Sequence, residues 1–323
     1  MKIAILGPGG VGGLIAGALD RAGAEVVVIA RESTVAAISE RGLRVDSVML
    51  GEFVVHPRAV TRLEEEVDVL IVATKASGLH DALERIVVTP PLVLPLLNGL
   101  DHIAVLRERF EGTDTHGHHG LAMGAGLPSV DTHVLAGTIR VEADRPEPGV
   151  VIHTSHFLIV DMASHDPAVR PGMEALAQAL SDAQVPVRIF ASEAQVMWSK
   201  LVRLNALACT TSAYDKLLGE IRSTPELRAD LVGTIEEACA VGHAEGAEDV
   251  DPDKALAELY MAHDTLGSSM QRDIAAGRAP ELDAIPGAVL RAAARHGLQC
   301  PTIERLVAII AERAGVPIPL APH

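Results

Sequence analysis

Residues 2–12 read Lys2-Ile3-Ala4-Ile5-Leu6-Gly7-Pro8-Gly9-Gly10-Val11-Gly12, an apolar run of strand length followed at once by Gly-x-Gly-x-x-Gly. From Val11 to Ala22 the pattern turns helical and rich in Ala, Leu and Gly. Gly23 stops that helix, and Glu25–Ile29 forms a second apolar run that ends near Arg31. Strand, glycine turn, helix and strand within about thirty residues is the context that gives the glycines a specific meaning. Gly7 permits a tight turn, Gly9 lets the backbone approach a pyrophosphate, and Gly12 lets the helix pack close to the sheet. Gly10 and Val11 belong to the same turn, where the helix offers unpaired N–H groups and a partial positive charge to phosphate. The stretch predicts an α/β, Rossmann-type doubly wound domain that binds a dinucleotide.

The end of the second strand selects the cofactor. An acid there would accept hydrogen bonds from the ribose hydroxyls of NAD, whereas an arginine suits the 2′-phosphate of NADP. The sequence reads Ala30-Arg31-Glu32. Arg31 can pair with a phosphate in a charge-assisted fork, so NADP(H) is expected. Glu32 is the competing feature, because a one-residue shift of register would put an acid at the ribose.

Composition narrows the partners. The 323 residues carry 43 acidic and 27 basic side chains, a net charge of −16, which disfavours nucleic acid and anionic membranes. Aromatic residues make up 2%, too few for base-stacking platforms. No apolar run approaches the roughly 18 residues of a membrane span. The N-terminal apolar run lacks the basic lead and cleavage site of a signal peptide, so a cytoplasmic protein is expected. Cys209, Cys239 and Cys300 are far apart and odd in number, which reads as buried free thiols.

Along the chain, Ser33 is expected to cap a helix over 34–41, and strands over 43–48 and 51–55 suit an antiparallel excursion. Val67–Ala73 is a buried parallel-type strand ending at Thr74-Lys75-Ala76, and ligands in such sheets bind at strand carboxyl ends. Lys75 is therefore a candidate cofactor contact. Leu92–Leu96 ends in Leu97-Asn98-Gly99-Leu100. An Asn-Gly turn also has a purely conformational explanation, so the residues alone leave Asn98 open between structure and function. His116, His118 and His119 invite a metal, but strand geometry separates them and no Asp, Glu or Cys completes a ligand set. Further strands and one helix close a first domain at residue 190. From 191 to 323 the pattern is all-helical, with helices expected over 194–209, 227–242, 252–273, 285–296 and 302–314. A cleft between the two domains is the natural place for a small substrate. A homodimer is compatible with the apolar helical faces, though no patch decides it.

The helical domain carries Trp198-Ser199-Lys200-Leu201, then Ser268-Ser269-Met270-Gln271-Arg272-Asp273-Ile274, Gly277-Arg278 and Glu281-Leu282-Asp283. With the first-domain glycines, Lys75 and Asn98-Gly99, this resembles the ketopantoate reductase (2-dehydropantoate 2-reductase) family over nearly the whole chain. The resemblance implies NADPH-dependent reduction of a 2-keto acid, with ketopantoate as the default substrate. It makes Lys200 the general acid and Glu281 the residue that orients it. It gives Ser269 the substrate carboxylate, Asn98 the substrate or nicotinamide, and Lys75 the cofactor. The chemistry is coherent: hydride attack puts negative charge on the carbonyl oxygen, and a positioned ammonium stabilises it and supplies the proton without a metal.

Two positions depart from the family pattern. Asn is usual four residues after the lysine, where this chain has Leu204, with Asn205 one residue on and rotated by about 100°. Asn205 is kept as a substrate-binding candidate. Pro286 likewise stands before Gly287 where the family usually has Asn. These departures favour an altered or more apolar substrate. A reductase of another carbonyl compound is the first rival reading; a non-catalytic NADP(H) sensor is the second, although a sensor would need none of Lys200, Glu281 and Ser269.

Overall fold

The structure, a computed structural model, describes residues 1–112 and 132–319. His116, His118 and His119 lie outside the described residues. Two compact units divide the chain: Met1–Leu97 with His102–Glu193, and Asn98–Asp101 with Ala194–His323. The sequence reading drew the boundary after residue 190 and gave Asn98 to the first domain. Residues 98–101 group with the helices instead, because Gly99 packs on the Ala284 backbone and Asp101 binds Arg291.

The first unit runs β1 (Lys2–Leu6), α1 (Gly10–Arg21), β2 (Glu25–Ile29), α2 (Glu32–Arg41), β3 (Leu43–Ser47), β4 (Gly51–Val55) and β5 (Arg58–Val60). It continues through β6 (Val69–Val72), α3 (Leu79–Leu83), β7 (Leu92–Pro95), α4 (His102–Phe110) and β8 (His133–Val134). It closes with β9 (Ala136–Arg140), β10 (Ala143–Glu147), β11 (Val150–His153), β12 (Ile159–Ala163), α5 (Arg170–Asp182) and β13 (Val187–Phe190). Six strands form a parallel sheet in the order β5-β2-β1-β6-β7-β8. The order reverses at β1, which is the switch point where such sheets bind ligands.

Alternation explains why β1 and its neighbours are apolar beyond the charged first residues Lys2 and Glu25. Ile3, Ile5, Val26, Val28, Val69 and Ile71 enter one core, while Ala4, Leu6, Val27, Ile29, Leu70 and Val72 enter another. Successive side chains point to opposite faces, and both faces are covered. Each fully buried Ile or Leu contributes about 1.5–3 kcal/mol.

The excursion over β3 and β4 is antiparallel, as its sequence suggested, and belongs to a separate sheet of order β10-β11-β3-β4. A third sheet has the order β13-β12-β9. Helix α1 packs against the second sheet through its glycines. A Cβ on Gly10 would stand 2.3 Å from the Ala143 carbonyl oxygen, one on Gly13 2.6 Å from Val151, and one on Gly17 2.6 Å from Val45. Glycine inside a helix costs about 1 kcal/mol relative to alanine. Here the spacing of three and four residues puts the glycines on one face, and the close approach to the sheet offsets that cost.

The second unit holds α6 (Glu193–Tyr214, whose first residue groups with the first unit), α7 (Leu218–Ser223), α8 (Pro225–Ala244), α9 (Pro252–Met261), α10 (Ser269–Ala275), α11 (Ala288–Arg295) and α12 (Pro301–Ala314). The helix expected over 252–273 is two helices. Arg222 donates to the carbonyls of Leu259, Tyr260 and Ala262 and so ends α9. Ser268 then starts α10, its hydroxyl accepting from the Gln271 N–H at 3.0 Å. In the first unit, α2 begins at Glu32 with Arg31 at its N-cap, two residues before the expected start, because Arg31 O accepts from the N–H groups of Thr34 and Val35. The helix expected from Ile285 opens instead with a π-turn over Asp283–Gly287. Pro286 has no N–H to give, and Gly287 reaches back five residues to Leu282 O at 3.0 Å.

Candidate active site

In the first unit the glycine turn sits at the carboxyl end of β1. Gly7 has φ +88°, and a Cβ there would meet Thr74 at 2.7 Å, so both conformation and space demand glycine. A Cβ on Gly12 would lie 2.2 Å from Gly7 O. Gly9, the N-cap of α1, is different: no heavy atom lies within 4 Å of a Cβ built on it. No side chain caps α1 and its first turn holds no acid, so the N–H groups of this turn remain suited to an anion. Gly10, counted from sequence among the cofactor contacts, is required by its packing on Ala143. Val11, the second residue of α1, is half-buried against the core.

The side chains around this turn supply local positive charge. Arg31 is exposed at the start of α2, and Lys75 is exposed just beyond the end of β6. Glu32, the acid that competes with Arg31, binds Arg85 Nη1 at 3.4 Å. Its own backbone N–H and the Arg85 guanidinium hold its carboxyl below the usual range. Arg85 also donates to Ala30 O and Thr61 O, which anchors it beside the end of β2. Arg145 reaches from β10 to Thr34 Oγ1 at 3.4 Å, one turn into α2. The Thr74 hydroxyl is buried without a hydrogen-bond partner among the described residues. An open face at Gly9, uncapped amides, an orphaned hydroxyl and flanking arginines all fit a phosphorylated dinucleotide. Arg85, Arg145 and Thr74 were not singled out from sequence. Topology alone brings the two arginines to the start of α2, and no local pattern marks them.

The second unit assembles three of the predicted residues. Lys200, half-buried on α6, donates from Nζ to Asn98 Oδ1 at 2.8 Å. Asn98 Nδ2 donates to Glu281 Oε2 at 2.9 Å. The amide therefore bridges the ammonium and the carboxylate, where the sequence reading had Glu281 alone orient the lysine. Trp198 and Leu201 on the same helix are buried in the helical core, which fixes the backbone from which Lys200 extends.

The remaining candidates lie apart from this chain of bonds. Ser269 is exposed in the first turn of α10. Its neighbour Ser268 is buried, receives a hydrogen bond from Thr211 Oγ1 at 2.8 Å and serves the helix cap. Asn205 is fully buried; its Oδ1 accepts from the Cys209 thiol at 3.4 Å, and its Nδ2 has no partner among the described residues. That corrects the substrate-binding assignment: a rotation of about 100° from the Leu204 position turns Asn205 into the core. Leu204 packs partly buried against the helical core. No group of three or more His, Cys, Asp or Glu among the described residues could hold a metal ion. Nor is any described helix long and apolar enough to cross a membrane.

Comparison with known proteins bears on the fold and the family. Residues 3–163 match the family described as ketopantoate reductase PanE/ApbA, and residues 194–314 match its C-terminal domain. The chain is 28% identical over 319 residues to the uncharacterized oxidoreductase YkpB of Bacillus subtilis, covering 95% of this chain and 97% of that one. It is 27% identical over 306 residues to a 2-dehydropantoate 2-reductase of Pyrococcus abyssi, covering 93% and 94%. A D-mandelate dehydrogenase solved with NADH and anilino(oxo)acetate shares the fold, with a TM-score of 0.82 at 22% identity over 98% of this chain and 99% of that one. With both of its domains matched in order and its α/β and helical units in place, the chain belongs to the ketopantoate reductase family.

Proposed function

We propose that the chain reduces a 2-keto acid to the 2-hydroxy acid with NADPH, taking 2-dehydropantoate to pantoate as the default reaction. The observation that carries this reading is the hydrogen-bonded series Lys200–Asn98–Glu281. NADPH, when bound, supplies the hydride. Gly7, Gly9 and Gly12 form the turn that would receive its pyrophosphate, and Arg31 would pair with the 2′-phosphate. The pairing of Glu32 with Arg85 lessens the repulsion an acid would otherwise exert there. Lys75 is placed in the sequence to support the cofactor from the β6 end.

As the carbonyl oxygen of the substrate gains charge, the Lys200 ammonium stabilises it and then donates its proton. Asn98 Oδ1 holds that ammonium, and the Glu281 carboxylate fixes the asparagine from its other end. Ser269 would bind the substrate carboxylate.

Leu204 supports a second reading of the substrate. It stands four residues after Lys200, one helical turn on, and offers no hydrogen bond where the family usually has Asn. An apolar 2-keto acid suits that position better than a hydroxylated one. The D-mandelate dehydrogenase of the same fold is named for an aromatic hydroxy acid, so the fold alone does not choose. Loss of NADPH absorbance, measured with 2-dehydropantoate, phenylglyoxylate and short aliphatic 2-keto acids, tests the reading. Turnover of at least one acid is expected, and Lys200→Ala should cut kcat by about 10²–10⁴-fold with little change in NADPH Kd. No turnover of any acid despite NADPH binding would favour a sensor, and a kcat within a few-fold after Lys200→Ala would remove the lysine from its role.

A further inference from the structure

Two stretches remote in sequence run side by side in the second unit. At one end Asn98 binds Glu281. Next to it Gly99, at φ +88°, packs so tightly that a Cβ would stand 2.0 Å from Ala284 O. At the other end Arg291 of α11 ties them together: Nη2 and Nε donate to Asp101 Oδ2 at 2.5 and 3.2 Å, Nη1 to Asp283 Oδ1 at 2.7 Å, and Nη2 also to Asp283 O at 2.9 Å. The Arg291 side chain is 16% exposed, whereas Asp101 and Asp283 are 46% and 76% exposed. Three links therefore set the register of 98–101 against 281–284, and Arg291 supplies the only one of them that is a charged fork on both sides.

We propose that Arg291 is a positioning residue for the proton donor: by binding Asp101 and Asp283 together it fixes Asn98 against Glu281 and so aims Lys200. The inference rests on the reading of Lys200 as the general acid. A planar guanidinium suits the task because it can address two acceptors in fixed directions, which an ammonium cannot. The alternative is a salt bridge that only stabilises the fold, as pairs with exposed carboxylates often do weakly. The two differ in what they do to turnover. Misplacement of a reacting group by about 1 Å can cost on the order of 100-fold in rate.

The test uses the full chain with NADPH and whichever of 2-dehydropantoate and phenylglyoxylate it turns over faster. Arg291→Gln should lower kcat by about 10–100-fold while the NADPH Kd stays within about twofold, and Arg291→Lys should recover part of the loss. The decisive variant is the double one. If Arg291 acts through Asn98, then in an Asn98→Ala background Arg291→Gln costs no more than about a further twofold. Should Arg291→Gln fail to fold, Asp101→Asn carries the same comparison, since it loosens one side of the clamp at a half-exposed position. An undiminished kcat in the folded variant, or an equal loss with and without Asn98, overturns the proposal. Lys200→Ala separates the layers: a retained kcat there removes the proton-donor reading and the clamp with it, whereas a lost kcat beside an intact Arg291→Gln enzyme removes only the clamp.

Discussion

Gly9 and Gly10 are adjacent, yet alanine should do opposite things at them. At Gly10 a new Cβ would lie 2.3 Å from Ala143 O, 2.6 Å from its carbonyl carbon and 2.9 Å from the Asp144 nitrogen. Favourable heavy-atom contact begins at about 3.5 Å, so helix α1 and strand β10 must separate by roughly 1 Å. Backbone cannot rotate out of the way, and overpacking of this kind costs about 1–3 kcal/mol or more. At about 2–4 °C per kcal/mol for a domain of this size class, Gly10→Ala should lower Tm by roughly 2–12 °C. At Gly9 the backbone is extended, with φ −75° and ψ −157°, and nothing lies within 4 Å. Alanine is free of strain there and restricts the unfolded chain, so Tm should hold or rise by the equivalent of about 0.4–1 kcal/mol. The methyl group would, however, fill the space through which a pyrophosphate approaches. NADPH affinity should fall at least tenfold, which is about 1.4 kcal/mol. Thermal melts and NADPH fluorescence titration on the two variants separate the effects. An unchanged Kd in Gly9→Ala would refute the placement of the pyrophosphate, and an unchanged Tm in Gly10→Ala would refute the contact with Ala143.

Three further outcomes follow from local chemistry. Arg31→Ala should weaken NADPH by about 10–100-fold and leave NADH nearly unaffected, because only NADPH carries the phosphate that the guanidinium would bind; parallel loss of both cofactors would place Arg31 elsewhere in the site. His153 is buried with Nδ1 2.8 Å from Ser47 Oγ and Nε2 3.1 Å from Ser155 Oγ, and burial lowers its pKa from the ordinary 6.5. The Ser47 hydroxyl oxygen already accepts from the Met49 and Leu50 N–H groups, so its proton goes to Nδ1 and the ring stays neutral. An unfolded His153 binds a proton more readily than the folded one, so this stabilisation is complete above the ordinary value and is lost as pH falls through the folded value. Melts should show the wild type losing more stability than His153→Gln below about pH 6.5, and identical slopes would contradict the assignment. The thiols of Cys239 and Cys300 are pushed up to about 12, chiefly by burial, and that of Cys209 higher still. Thiol-specific reagents should label all three only at the rate of unfolding, and fast labelling of the native protein would argue against their burial.

The parallel sheet was legible because its information is local. A period-two run buried on both faces and a glycine turn of fixed spacing require nothing from the rest of the chain. The positions of Arg31 and Lys75 were legible for the same reason, since each follows a recognisable strand. What escaped the sequence depended on partners distant in the chain. The break in the 252–273 helix is enforced by Arg222, some forty residues earlier, which takes the carbonyls that would have continued it. The π-turn over Asp283–Gly287 is a response to Pro286 inside a helical pattern, and pattern alone cannot say whether a proline breaks a helix or shifts its bonding. Asn205 was misread because periodicity alone does not say which of two adjacent helix residues turns fully into the core. Gly10, Gly13 and Gly17 looked like part of a phosphate motif and its helix, when the second sheet, assembled from strands that follow much later, is what demands their size.

Asn98 joins the Lys200 and Glu281 side chains of the helical unit into one hydrogen-bonded series. An asparagine amide has two ends of opposite character, and an isolated one can rotate by half a turn at little cost. Here a lysine ammonium, which only donates, faces one end, and a carboxylate, which only accepts when ionised, faces the other. The reversed amide would aim NH2 at the ammonium and oxygen at the carboxylate, losing both bonds and adding two repulsions. The flanking charges therefore lock the amide, and the locked amide in turn fixes the direction of the Lys200 Nζ–H bonds. Removing Glu281 would free the amide without removing Asn98, and removing Asn98 would leave Glu281 without the bridge through which it reaches the lysine. The two losses should be strongly non-additive in kcat: Asn98→Ala and Glu281→Gln, each costly alone, should together cost little more than the larger of them. Additive losses would mean that Glu281 reaches Lys200, or the substrate, by a route that does not pass through Asn98.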